Sequence, residues 1–260
     1  MERSASYTLR FAAVVGMVAS AIVATTAVLL SSRQEENRLL DRQRKVLDVV
    51  GLSTASEPIS RVEVRRRFEE SVRPVAIELE NGRVAPDIDP VTFDQRRAAQ
   101  DPATSRPAPT NAAGVSRLPD HVVVFHVGRN DTVETLVLPF EGVGLWSTMY
   151  GFVALSADLS TVRGITFYEH AETAGLGARV SEPEWRALWE GRRLFDDDWQ
   201  PRLRVVKGRA PLPTDAPYEV DGLSGATLTG NGVTNALHFW LGRDVLGPYL
   251  ARYRAERGIT

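Results

Sequence analysis

The chain has 260 residues, 43% apolar and 25% charged, with a formal net charge of −2, the composition of a folded protein with nothing to suggest a nucleic-acid partner. It contains no cysteine, which excludes disulfides, thiolate zinc sites, Cys-ligated iron–sulfur clusters and a lipoprotein cysteine. The four histidines, His121, His126, His170 and His238, form no HExxH or closely spaced pair, so no dedicated metal site is expected.

Residues 1–10 read as an N-terminal tail. From Phe11 to Ser32 there is no charged or otherwise ionisable residue, and the run FAAVVGMVASAIVATTAVLL is long enough to cross about 30 Å of hydrocarbon as a helix. It exceeds the apolar core of a signal peptide, and no small-x-small site separates it from Arg33, so residues 11–32 read as an uncleaved transmembrane helix. Arg3 and Arg10 precede the span, whereas Arg33, Arg38, Arg42, Arg44 and Lys45 follow it. Taken literally, the positive-inside rule would put the rest of the chain in the cytoplasm, although long domains translocate largely regardless of flanking charge.

Residues 33–59 are expected to form a helical stalk and connector, with Leu39, Leu40, Val46, Leu47 and Val50 on one face and Gly51 at the C-cap. A soluble domain then spans residues 60–260. Its first helix starts at the capping box Ser60-x-x-Glu63, ahead of Val64 and Phe68, and Val75–Leu79 is a strand closed by Asn81-Gly82. Residues 101–119, rich in Pro, Ala and Ser, read as a surface loop without chemistry. Strands follow at 121–127, 133–138, 150–155 and 162–168. Next come a helix over Ser181–Glu190, with a second capping box at Ser181-x-x-Glu184 and Trp185, Leu188 and Trp189 inward, and a strand at 202–206. A helix around Gly232–Leu241 and a shorter one near the C-terminus complete the chain. The irregular grouping of strands and helices predicts an α+β domain of mixed sheet and helices behind the transmembrane helix.

Three stretches have the composition of a binding site. Asp221-Gly222-Leu223-Ser224-Gly225-Ala226-Thr227 lets a backbone approach a ligand, and N–H groups ahead of a helix favour an anion, with a hydroxyl at the end that could be esterified. Glu169–Ala178 joins a strand to a helix and offers Glu172 and Thr173 as hydrogen-bonding groups and Leu176 as an apolar face beside Gly177. Gly144–Gly151 places the aromatic residues Trp146 and Tyr150 around Ser147 and Thr148. By local chemistry alone the first two read first as plain turns and the third as core packing, with a ligand site the alternative in each, and none is a GxGxxG fingerprint.

Taken together, these stretches resemble the C-subunit family of the Na⁺-translocating NADH:quinone reductases. The resemblance covers nearly the whole chain: one N-terminal span, Gln43-Arg44-Lys45-Val46-Leu47 in the stalk, GLWSTMYGFVAL at 144–155, FYEHAETAGLGA at 167–178, and VDGLSGATLTGNGV at 220–233 leading into FWLG at 239–242. Ala174 departs from the proline usual in the family. The last block matches the family's flavinylation signature, Asp, two residues, then Ser/Thr-Gly-Ala-Thr, whose final threonine carries FMN through a phosphoester; here that is Thr227.

The resemblance implies an electron-relay subunit of a sodium-translocating oxidoreductase in the bacterial inner membrane. It implies a periplasmic domain, the other subunits of the complex as partners, and a flavin transferase for maturation. Candidate FMN contacts are Glu172, Thr173, Leu176, Gly177, Asp221, Gly222, Leu223, Ser224, Gly225 and Ala226, with Trp146 and Ser147 on another wall and Lys207 near the flavin or its phosphate. No catalytic acid, base or nucleophile and no metal ligand is expected, and the ion route is assigned to partner subunits because the span carries no ionisable residue. Two alternatives remain: the G subunit of the related Rnf-type ferredoxin:NAD⁺ reductase, and a regulatory membrane-anchored flavin-binding domain that shuttles no electrons.

Overall fold

The computed structural model describes residues 5–53, 57–129 and 132–259, and the chain divides into two compact units, residues 1–41 and 42–260. Arg3 and residues 54–56 of the expected connector lie outside the described residues. The first unit holds most of helix α1 (Ala5–Val49), whose segment Ala5–Thr26 has mean hydropathy 1.8 and is long and apolar enough to cross a membrane. Helix already begins at Ala5, inside the expected tail, and does not stop at Ser32. No glycine or proline occurs between Gly16 and Gly51 to break it.

The second unit is built on one antiparallel sheet. Its elements are α2 (Arg61–Ser71), β1 (Val72–Glu78), α3 (Gln95–Gln100), β2 (Ser105–Pro107), β3 (Arg117–Pro119), β4 (His121–Arg129), β5 (Thr132–Val143), β6 (Thr148–Ser156) and β7 (Val162–Glu169). A 3₁₀ turn over Gly177–Ser181, α4 (Pro183–Ala187), β8 (Arg204–Val205), β9 (Glu219–Val220), α5 (Thr227–Trp240) and α6 (Gly247–Arg257) follow. Strands β1-β4-β5-β6-β7 form the main sheet in that order, and β8 pairs in parallel with β9.

The strands read as near-continuous apolar runs because both faces of the sheet are covered. One face presents Val122, Val124, Leu136, Leu138, Phe140, Val153 and Leu155 to a core shared with Trp185, Trp189, Leu237 and Trp240. The other presents Val123, Phe125, Val127, Val137, Phe152 and Ala154 to Val46, Leu47 and Val49 of α1 and to Val64 and Phe68 of α2. The architecture is α+β, as expected. An ion pair links the two layers: Asp48 lies 2.7 Å from Arg186 with both side chains largely buried, and Arg186 Nε also donates to the carbonyl of Ile165.

Several local expectations need correction. Ser60 accepts the Glu63 amide as an N-cap, but the Glu63 carboxylate pairs with Arg66 and Arg67 instead of returning to the cap, so half of that capping box forms. No box forms at Ser181. Pro183 sets the start of α4 with Glu182 at the N-cap, and the Ser181 hydroxyl is bonded to His170 Nε2 at 2.8 Å. The expected ten-residue helix is accordingly a 3₁₀ turn and the short α4, although Trp185 and Trp189 are buried as expected. Residues 101–119 are not a bare loop: β2 and β3 pair within them, and Ala113 and Leu118 enter the core. Small residues and prolines lower the apolar signal there, while backbone pairing and the buried Ala113, Val115 and Leu118 order the segment.

Asp48→Asn leaves Arg186 without its charge partner in a mostly dry environment, so denaturant unfolding should show a loss of about 3 kcal/mol; an unchanged midpoint would show that the pair does not fasten α1 to α4.

Candidate functional site

Three segments distant in sequence converge on Glu172: the tip of the β5–β6 hairpin, the loop after β7, and the first turn of α5. Glu172 is 7% exposed. Its carboxylate accepts the backbone N–H groups of Leu145 and Trp146, each at 3.0 Å, and the hydroxyl of Thr229. Burial pushes this carboxyl upward, but the Thr229 hydroxyl and the Trp146 and Leu145 amides outweigh it and hold the group below the usual carboxylate range. Two glycines permit the convergence. A Cβ on Gly144 would lie 2.6 Å from Glu172 Oε1, and one on Gly177 would lie 2.6 Å from Thr229 Oγ1.

A second set of bonds fixes the loops. Trp146 Nε1 donates to Thr173 Oγ1 at 3.0 Å, and the Ala171 amide donates to Ser147 Oγ at 2.8 Å. The Thr173 carbonyl closes the loop by accepting the amides of Leu176 and Ala178. His170 is structural. Its Nε2 meets Ser181, its Nδ1 accepts the Glu172 amide, and burial lowers its pKa.

The 221–226 segment is a turn closed by the Ala226 amide on the Leu223 carbonyl, with Leu223 and Ala226 buried and Ser224 and Gly225 exposed. Gly225 has φ +75°, and a Cβ there would lie 2.9 Å from Leu176 Cδ2, so the Leu176 side chain rests directly on this turn. Thr227 is the first residue of α5 and is exposed, and the helix start has no side-chain cap. The N–H groups of the first turn and the positive end of the helix are therefore available to an anion. On the same loops Leu145, Trp146, Leu176 and Leu228 stay 43–69% exposed, an apolar lining open to a planar ring. The arrangement can hold a phosphate beside a free hydroxyl. Three donors occupy the Glu172 carboxylate, and no metal-binding cluster occurs among the described residues.

Residues 144–242, which contain all three converging segments, match the FMN-binding domain family. The chain is 43% identical over 257 residues to the C-subunit of the Na⁺-translocating NADH-quinone reductase of Pseudomonas aeruginosa, covering 97% of both chains. It is 44% identical over 251 residues to the corresponding protein of Yersinia pestis, covering 95% of this chain and 92% of that one. The chain belongs to the C-subunit family of Na⁺-translocating NADH-quinone reductases. The crystal structure of Shewanella oneidensis NqrC superposes with a TM-score of 0.76 at 36% identity, over 86% of this chain and 99% of that one. Membership of this family sets aside the Rnf-type reading and makes the chain an FMN-binding member of a multi-subunit oxidoreductase.

Within this family fold, Trp146, Ser147, Glu172, Thr173, Leu176, Gly177 and the 223–227 turn form one assembly. Lys207, Asp221 and Gly222 belong to the adjoining segment. The Gly222 amide donates to the Gly208 carbonyl at 2.7 Å, and the Ala210 amide donates to Asp221 Oδ1 at 2.9 Å. The carbonyl of Asp221 accepts Trp185 Nε1. Asp221 therefore fastens the 208–210 segment and α4 to the turn, while Lys207 is exposed beside it. Thr229 is the residue that sequence reasoning missed. A signal was present: two residues on a helix differ by about 200°, so an exposed Thr227 turns Thr229 inward, where a buried carboxylate needs a donor.

Glu172→Gln should destabilise the domain at neutral pH by on the order of 2 kcal/mol, since one charged acceptor serves three donors. A carboxyl held below its usual range stabilises the fold above its unfolded pKa, and that stability is lost as pH falls through the folded value. The native chain should thus weaken below about pH 4, with a flatter acid limb in the variant. Identical acid limbs in urea melts would contradict the arrangement.

Proposed function

We infer that the chain carries FMN as a phosphoester on the Thr227 hydroxyl and relays electrons within the reductase without turning over a substrate of its own. The observation that carries this reading is the exposed Thr227 at the uncapped start of α5, behind a turn of small residues and beside an apolar lining. Bound FMN supplies a carrier of one or two electrons, while the protein supplies placement and electrostatics. The first-turn amides of α5 and its dipole would hold the phosphate. Leu176 and Trp146 would supply apolar contact for the ring, with Thr173 and Ser147 fixing the loops that carry them. Gly222, Ser224 and Gly225 keep the backbone within reach, and Lys207 adds a positive charge that favours reduced flavin. Glu172 acts indirectly, by holding the loops to the helix.

Attachment requires a flavin transferase. The Thr227 oxygen attacks the FMN phosphorus of FAD, the pyrophosphate bond breaks, AMP departs, and the hydroxyl proton is taken up by the transferase. The exposed turn suits docking of that enzyme. An ester also retains the cofactor on a shallow surface, where reversible binding would require high affinity.

The apolar helix anchors the chain in the bacterial inner membrane, with the folded domain on the periplasmic side. The cationic residues after the span are weaker evidence for a cytoplasmic domain than their number suggests. The Arg42 guanidinium donates to the Phe93 carbonyl and lies 5.2 Å from the Phe125 ring centroid, and Arg44 donates to the Glu57 carbonyl. These charges serve the fold of the second unit, and a long domain translocates regardless of them.

With the transferase present, Thr227→Ala should abolish flavin fluorescence in a denaturing gel while the chain folds normally, because an exposed helix-start residue carries little packing. Fluorescence that persists in the variant would refute attachment at this residue.

A further inference from the structure

A cavity of about 330 Å³ lies between the 195–200 loop, the residues following α5, and α6. Leu241, directly after α5, lines it, whereas Thr227 begins the same helix. At 1.5 Å per residue, the 14 residues of α5 place the cavity ~21 Å along the helix from Thr227. It is therefore separate from the flavin site.

Its walls are apolar, including Phe195, Leu241 and Leu250, but its charge is unbalanced. Two guanidinium groups, Arg243 and Arg254, line it against one carboxylate, Asp198, and among the described residues no ion pair joins Asp198 to either. The Arg254 guanidinium lies 3.3 Å from the centre of the Trp199 ring, and its Nε is buried without an acceptor. An arginine donor hidden from water and left unbonded is costly unless an acceptor arrives. Trp199 itself has φ +55°, a left-handed conformation that a bulky residue keeps only where its surroundings enforce it. The Asp196 side chain does so by accepting the amides of Asp198 and Gln200. The loop is thus built to hold an indole beneath a guanidinium.

We propose that this cavity docks a neighbouring subunit of the reductase through an acidic side chain flanked by an apolar residue. The carboxylate meets the Arg254 fork, and the apolar group fills the space against Phe195, Leu241 and Leu250. Planar, stacked guanidinium recognises a carboxylate by two parallel bonds, and partly desolvated pairs of this kind serve as interface anchors. The occupant is a protein segment because the chain works as one of several subunits in a larger assembly. The inference concerns assembly and does not depend on where the flavin is attached.

The test uses the assembled complex with the photo-crosslinker p-benzoylphenylalanine placed at the exposed, cavity-lining Ala251. On irradiation one neighbouring subunit should be captured, and peptide mapping should find an Asp or Glu within a few residues of the linkage. Arg254→Gln should lower the yield at least tenfold. Neutralising the mapped acidic residue in the neighbour should do the same, and that second change leaves this chain unaltered, so a folding defect in Arg254→Gln does not blunt the test. The proposal is overturned if no neighbour is captured, if the captured segment lacks a carboxylate, or if neutralising that carboxylate leaves the yield unchanged.

Discussion

A carboxylate that is buried must find donors, and the way Glu172 finds them determines the geometry of the whole site. Its partners come from a hairpin tip, through the Leu145 and Trp146 amides, and from the first turn of a helix, through the Thr229 hydroxyl. No two of these segments are neighbours in sequence, so the one charged group specifies how they pack. Gly144 and Gly177 are the complement of that requirement, since a side chain on either would occupy the space of the carboxylate or its donor. With Thr229 turned inward, helical geometry turns Thr227 outward. The exposure of one threonine follows from the burial of another.

The scaffold behind the site explains how so open a surface stays ordered. The main sheet is covered on both faces, by α5 and the Trp185–Trp189 region on one and by the end of α1 with α2 on the other. The loops that reach the site leave from β5, β6 and β7, whose central residues are buried, and α5 is anchored by Val233, Ala236, Leu237 and Trp240. Rigidity is supplied from below, so the upper surface is free to present Trp146, Leu176 and Leu228 to solvent or to a ring. A relay benefits from this, because electron transfer asks for a fixed, accessible cofactor and not for a closed pocket that excludes water.

Much of this is legible in the sequence, for reasons that differ by element. The five long strands and α5 are readable because continuous apolar runs bounded by turn residues leave few alternatives. The 144–151, 169–178 and 221–227 segments are recognisable as candidates from glycine and small-residue content, although composition cannot say that they meet. Their meeting point is Glu172, which takes the Leu145 and Trp146 amides and, across 57 residues, the Thr229 hydroxyl. The helix expected over 181–190 does not form as one element, because Pro183 and the His170–Ser181 bond compete with the capping box, and a local rule cannot see a distant histidine. The order of the 101–119 segment comes from strand pairing, which small residues and prolines conceal. Lys207 joins the site by resemblance, whereas the fold sets it in the bend after β8, next to Gly208, whose carbonyl accepts the Gly222 amide.

The account rests on the hydroxyl that this packing turns outward being the one that bears the flavin. Peptide mass spectrometry with site localisation, applied to the chain purified from the mature complex, tests this most directly. The account predicts FMN on Thr227 in nearly every copy, with Ser224 and Thr229 on either side unmodified. A peptide bearing the flavin on Ser224 or Thr229, or carrying none although the transferase is active, would contradict it.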